Sequence, residues 1–145
     1  MQASSVGAVR LLERDENLAA LTALLRRAQA GRGGMGVHYI NPGLMYATVD
    51  ITKPEALVYE LDAAGHVAGL VAHEYIVPVD AWTSKKAPQL FGMDFHRHPV
   101  LPLWVHHAWV WKDNPAGVFE DWNPAVRLCP AGVPVFGTDL PAPGS

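Results

Sequence analysis

Apolar and polar positions alternate most clearly in two parts of this chain. Over residues 66–77, Leu70, Ala72, Glu74 and Ile76 share one face of an extended strand, and Val71, His73, Tyr75 and Val77 share the other. Residues 55–61 read as a preceding strand, and Asp62-Ala63-Ala64-Gly65 as the turn between them, so the pair predicts an antiparallel hairpin that Pro78 closes. Over residues 103–111, Val105, His107, Trp109 and Trp111 fall on one face, and Trp104, His106, Ala108 and Val110 on the other. Both faces are largely apolar, which predicts a central strand covered on both sides. The stretch from Leu103 to Pro124 also holds four of the five tryptophans and two Asn-Pro steps, whose asparagine side chains are expected to bond nearby backbone in tight loops.

The remaining pattern is helical first and irregular later. Leu18, Leu21, Leu25 and Ala28 recur at three- and four-residue steps, with acidic Asp15 and Glu16 at the start and basic Arg26 and Arg27 near the end. A helix over 15–30 follows, stopped at Gly31. Gly31, Gly33, Gly34 and Gly36 then fit neither the Walker nor the dinucleotide spacing. They form either a flexible turn or a place where the backbone passes close to something and brings His38 into a crowded interior. Residues 79–90 read as an exposed excursion. The predicted class is α+β in one domain: a lead-in over 1–14, the helix over 15–30, a β-rich core over 36–124 and an extended tail over 125–145. The helix would pack on a mainly antiparallel, curled or barrel-like sheet.

Composition narrows the function. A chain of 145 residues, half of them hydrophobic and 17% charged, can bury a substantial core. A net charge of −3 gives no basic footprint, so nucleic acid is not an expected partner. No apolar run reaches the length of a membrane span, and Met1-Gln2-Ala3-Ser4-Ser5 does not open a signal peptide, so a cytoplasmic protein is expected. Cys129 is alone, which excludes an internal disulfide and a multi-cysteine metal site. Its neighbours, Leu128 and Pro130, suggest a small buried residue rather than an activated thiolate. No serine lies in a nucleophile-elbow context.

Glu74 stands out because an ionised carboxylate among aliphatic side chains is costly unless paired or bound to a metal. His38 and His107 lie on two other predicted strands, and two imidazoles with one carboxylate suffice for Zn(II), Fe(II), Mn(II) or Cu(II). His96 and His98 share a face if extended, and either, His96 first, could supply a fourth ligand. Tyr39 or Tyr75 would assist proton transfer, and Trp109 and Trp111 would wall the pocket. The competing arrangement has no metal: Glu74 pairs with Arg97, Lys112 or Arg127, and the histidines complete a structural polar network. His66 is expected to be solvated, His73 packed or in a second polar pair, His106 incidental, and Glu120-Asp121 a solvated turn.

Two stretches, Gly34-Met35-Gly36-Val37-His38-Tyr39-Ile40-Asn41-Pro42 and His107-Ala108-Trp109-Val110-Trp111-Lys112-Asp113-Asn114-Pro115-Ala116-Gly117-Val118-Phe119 with Trp122-Asn123-Pro124, resemble a family of small, functionally uncharacterised bacterial proteins. Pro54-Glu55-Ala56-Leu57-Val58-Tyr59, His73-Glu74-Tyr75-Ile76-Val77-Pro78 and Leu90-Phe91-Gly92 are similar to the middle of the same family, over roughly residues 33–130. The resemblance implies that His38, Tyr39, Glu74, Tyr75, His107, Trp109, Asn114 and Trp122 belong to a shared pattern, whereas His96, His98 and His106 are particular to this chain. It implies export for many members and supplies no activity. The functional expectation is a small metalloprotein with a mononuclear His/Glu site, acting on a small molecule, with no nucleic-acid or membrane partner and with a homodimer left open. The alternative is a non-catalytic module that binds an apolar small molecule, with the histidines as hydrogen-bonding groups.

Overall fold

The predicted hairpin forms the middle of the sheet. In the computed structural model, which describes residues 33–98 and 101–130 and the backbone of 136–137, β2 (Ala56–Leu61) pairs antiparallel with β3 (Val67–Pro78). Asp62 Oδ1 accepts from the amides of Ala64 and His66, and Gly65 takes φ +88°, which is why an aspartate opens and a glycine closes this turn. β1 (Val37–Ile40) lies antiparallel on the other edge of β2, and β7 (Leu103–Ala108) on the other edge of β3. The two-residue strands β6 (His96–Arg97) and β8 (Phe136–Gly137) complete a six-stranded sheet in the order β6-β7-β3-β2-β1-β8, with β8 parallel to β1. A separate ribbon, β4 (Gln89–Leu90) with β5 (Met93–Asp94), turns through Phe91 and Gly92, both at positive φ.

Two expectations are corrected. The helix over 15–30 lies outside the described residues; those residues contain, apart from strands and loops, only the 3-10 turns Pro42–Leu44 and Val79–Ala81, and are mainly β rather than α+β. The sheet is also open rather than barrel-like, because its edge strands β6 and β8 do not pair with each other. Closure needs a continuous ladder between the edges, and strands of two residues cannot carry one.

Apolar clusters cover both faces, as the β7 pattern predicted. Ile40, Met45, Ala56, Ile76, Leu101, Leu103 and Val105 form one cluster, and Val58, Val71, Ala72, Trp109 and Val126 a second. By strand alternation, Ile76 and Val105 of the first share a face with Ala72 of the second, and the level between them is occupied by Glu74 and His107. Behind the sheet, Tyr75, Val77, Phe95 and Ala108 pack with Trp82, Leu90, Trp104 and Phe119. β7 leaves the sheet after Ala108, three residues earlier than predicted: the Trp109 amide donates to Val118 O, and Trp111 is 60% exposed.

Where β2 begins, a carboxyl group extends its ladder. Glu55 is buried, and its Oε1 accepts from the Ile76 amide at 2.8 Å, just beyond the Ala56–Glu74 pair. Burial pushes the Glu55 pKa up to about 8, with Glu74 and Asp50 adding to the rise against the opposing Ile76 hydrogen bond. The folded protein therefore holds a proton that the unfolded chain releases near 4.5, so this group's stabilisation is complete below that pH and is lost as pH rises through about 8. Glu55→Gln keeps an acceptor for Ile76 and cannot ionise. In urea unfolding, the variant is expected to gain stability relative to the parent between about pH 5 and pH 9, on the order of 2 kcal/mol. A difference that is flat with pH would show that Glu55 titrates normally.

Candidate metal centre

Strand register brings three distant residues together. Glu74 on β3 stands opposite Ala56 on one side and His107 on the other, so Glu74 and His107 are direct cross-strand neighbours. His38 on β1 stands opposite Val58, which stands opposite Ala72. Strands two apart in a sheet are roughly 10 Å apart, so His38 must lean across β2 to meet Glu74. Ala56 lies between them on this face, and its small side chain leaves that space open. His38, Glu74 and His107 are 3%, 4% and 2% exposed.

Their polar atoms converge. His38 Nε2 lies 3.2 Å from His107 Nε2 and 3.0 Å from Glu74 Oε2, and His107 Nε2 lies 3.6 Å from Glu74 Oε1. The two rings meet edge to face at 5.5 Å, and the His107 ring stacks on Trp109 at 6.4 Å. Nitrogen and oxygen ligands on one tetrahedral ion sit about 3.3 Å apart, given bonds of roughly 2.0 Å. The observed separations bracket that value. Glu74 Oε2 is buried and makes no well-aligned hydrogen bond among the described residues, although it touches His38 Nε2. The two imidazole nitrogens are hydrogen-bonded to each other, while Glu74 Oε2 reaches into the same space without a bond of its own. The buried His38, Glu74 and His107 group could hold a metal ion.

The electrostatics favour a charged site. Burial alone would push Glu74 up, but His107 and His38 outweigh it and hold the carboxyl at about 2. His107 carries the matching shift: burial opposes its charging, while Glu74 and Asp121 overcome that and raise its pKa. Asp121 Oδ1 lies 3.0 Å from His107 Nδ1, and Asp121 Oδ2 lies 2.8 Å from His96 Nε2. Burial works against ionising Asp121, but the bonds from these two rings keep its carboxyl well below the usual range. An ionised carboxylate only accepts, so His107 Nδ1 donates, and in the neutral ring the Nε2 lone pair is left to accept from His38 Nε2 or to bind a cation.

Asp121 is the residue that sequence reasoning missed, since Glu120-Asp121 read as a solvated turn. It is delivered by the loop after β7, which is built from its own polar groups. Asn114 Nδ2 donates to Trp122 O, Asn123 Nδ2 to Asp113 O, and Trp109 Nε1 to Glu120 O. The loop docks on the glycine segment ahead of β1: Gly34 and Asn123 exchange backbone hydrogen bonds at 3.1 and 2.9 Å. A Cβ on Gly33 would lie 2.2 Å from Asn123 O, and one on Gly36 would lie 2.4 Å from Tyr59 O. Those glycines allow the close approach that seats β1 and His38. The one sequence signal for Asp121 was its place between two Asn-Pro turns.

The other candidates are placed as follows. His96 is outside the three-residue group, 48% exposed in its side chain, with its Nε2 on Asp121 rather than on the cluster. His98 is half-buried, accepts at Nδ1 from the Leu101 amide, and is held below its usual pKa by burial, with Glu74 opposing. Tyr39 and Tyr75 lie on the opposite face from the cluster, Tyr39 edge-on to Tyr59 and Tyr75 with its hydroxyl on Ile51 O. Trp109 is buried against His107, whereas Trp111 is at the surface with its Nε1 donating to His73. Among the described residues Glu74 meets His38 and His107 rather than the cations of the ion-pair alternative: Lys112 pairs with Glu60, the Arg97 guanidinium lies over the Trp104 ring, and Arg127 is exposed. His106 is a satisfied core histidine, its Nε2 bonded to Leu90 O among Phe91, Phe95 and Phe119. Cys129 has its pKa raised by burial, against any activated-thiolate role. A groove of about 510 Å³ lies at residues 39–57, lined by Tyr39, Leu44, Lys53, Glu55 and Leu57 and not by the cluster.

No protein-family model, curated protein or solved structure matches this chain. Fold and site together define a mainly antiparallel β-sheet protein with a buried His–Glu–His group able to hold a metal ion. No helix among the described residues is long and apolar enough to cross a membrane. Asn123 is fully buried, with Nδ2 on Asp113 O and Oδ1 accepting from the Ala125 amide, so Asn123→Ala leaves two backbone groups unpaired. The variant is expected to lose about 2–3 kcal/mol in chemical denaturation. An unchanged midpoint would show that the loop does not depend on it.

Proposed function

We propose that this protein is a mononuclear metalloprotein whose ion is held by His38 Nε2, His107 Nε2 and the Glu74 carboxylate. The observation that carries this is the convergence of three buried acceptor groups at 3.0–3.6 Å, with Glu74 Oε2 lacking an aligned hydrogen bond. Two imidazoles and a carboxylate suit Zn(II), Fe(II), Mn(II) or Cu(II) better than Ca(II) or Mg(II), which take mostly oxygen ligands. Three protein ligands leave a coordination position for water or a small molecule, as in catalytic rather than closed structural sites. An ion there would polarise a bound carbonyl or acidify a bound water, which makes metal-assisted conversion of a small molecule the reaction type that fits.

Elemental analysis of protein purified without an affinity tag is the direct test. About one transition-metal ion per chain is expected, lost in Glu74→Ala and in His107→Ala. A metal-free parent whose double variant is equally stable would overturn the proposal.

Stability against pH provides a second test. In metal-free protein, the raised pKa of His107 means its proton stabilises the fold below the ordinary histidine value of 6.5. That contribution is lost as pH rises through the folded value. A metal ion replaces the proton as partner of Glu74, so binding releases protons and protects the fold on the alkaline side. Melting temperatures with and without chelator are therefore expected to diverge as pH rises above neutrality. Parallel curves would count against metal at this site.

A further inference from the structure

Beyond the three ligand groups, the carboxylate of Asp121 and the imidazole of His96 form a second pair whose role is not needed to hold the loop. The loop is already fixed by Asn114, Asn123 and Trp109, none of which uses the Asp121 side chain. Asp121 instead spends both oxygens on histidines, Oδ1 on His107 Nδ1 at 3.0 Å and Oδ2 on His96 Nε2 at 2.8 Å. His107 cannot easily turn away, since its ring is stacked on Trp109 and set edge-on to His38. His96 sits on the edge strand opposite Val105, so the line His96–Asp121–His107 runs from the rim of the sheet to its buried centre.

We propose that Asp121 is a positioning residue for the metal centre: it fixes the His107 tautomer with Nε2 as the donor atom and strengthens that donor, while His96 holds Asp121 in place. This rests on the metal reading of the His38, Glu74 and His107 group. A carboxylate that accepts from the far nitrogen of a ligating imidazole orients the ring and raises its basicity, and its loss commonly lowers affinity ten- to a hundredfold. His96 supplies a donor to the second Asp121 oxygen, which stops the carboxylate from rotating off His107.

Two measurements on the full-length chain test this. In the first, Co(II) is titrated into metal-free protein and its dissociation constant and visible absorption are recorded for the parent and four variants. Asp121→Ala is expected to weaken binding about ten- to a hundredfold. Asp121→Asn, which retains an acceptor for Nδ1, should recover at least half of that loss on a logarithmic scale. His96→Ala should weaken binding by less than Asp121→Ala, and His96→Gln, which retains a donor, should bind like the parent. In the second, nitrogen NMR of metal-free protein near pH 9 reads the His107 tautomer directly, with the proton expected on Nδ1 in the parent and redistributed toward Nε2 in Asp121→Ala. A merely structural Asp121 would lower the melting temperature of Asp121→Ala and leave both the Co(II) affinity and the tautomer of the folded protein unchanged, which would overturn the proposal. A parent that takes up no Co(II) would overturn the metal reading and the affinity role together. A parent that binds Co(II) but carries the His107 proton on Nε2 when metal-free would overturn the positioning role alone.

Discussion

Glu74 is buried at the middle of the sheet, and the structure around it follows from the need to place polar partners beside its carboxyl group. A lone carboxylate there would cost several kcal/mol, whereas one faced by imidazoles can be retained. His107 meets this need from the adjacent strand, and His38 from two strands away. Each has a structural requirement of its own. His38 depends on small residues at Ala56 and Ala72 and on glycines that let the chain ahead of β1 press against the Asn123 loop. His107 depends on Asp121, which the same loop carries. The loop therefore supports both histidines, one by packing and the other by a hydrogen bond.

Two buried carboxyl groups near one another take opposite states. Glu55, with a backbone amide as its partner and no cation, is pushed toward its neutral form. Glu74, with two imidazoles, is held in its charged form. The contrast shows that burial alone does not set the protonation state: the partner does. It also marks Glu74, rather than Glu55, as the carboxylate suited to a cation. The two faces of the sheet are specialised in the same manner. His106, on the face behind His107, is caged by phenylalanines and satisfied by one carbonyl, so adjacent histidines on one strand have unrelated roles.

The chain's own pattern determined the hairpin of β2 and β3, the strand at β7, the faces on which their side chains lie, and the burial of Glu74. These are local consequences of period-two alternation bounded by Asp, Gly and Pro, and they need no distant partner to be legible. The pairing of His38, Glu74 and His107 was legible as chemistry, because a carboxylate amid aliphatic residues requires compensation. Tertiary structure alone decided the rest. That the sheet stays open depends on edge strands too short to register in any periodicity. Trp111 leaves the site because the chain turns outward after Ala108, which backbone bonds to Val118 and Val71 impose from elsewhere. His96 is turned to Asp121, and Asp121 to His107, by a loop whose closure is set by buried asparagines and glycines in contact across the fold. Hydrogen bonds between segments carry no sequence period, so a residue such as Asp121 acquires its role only when the loop closes.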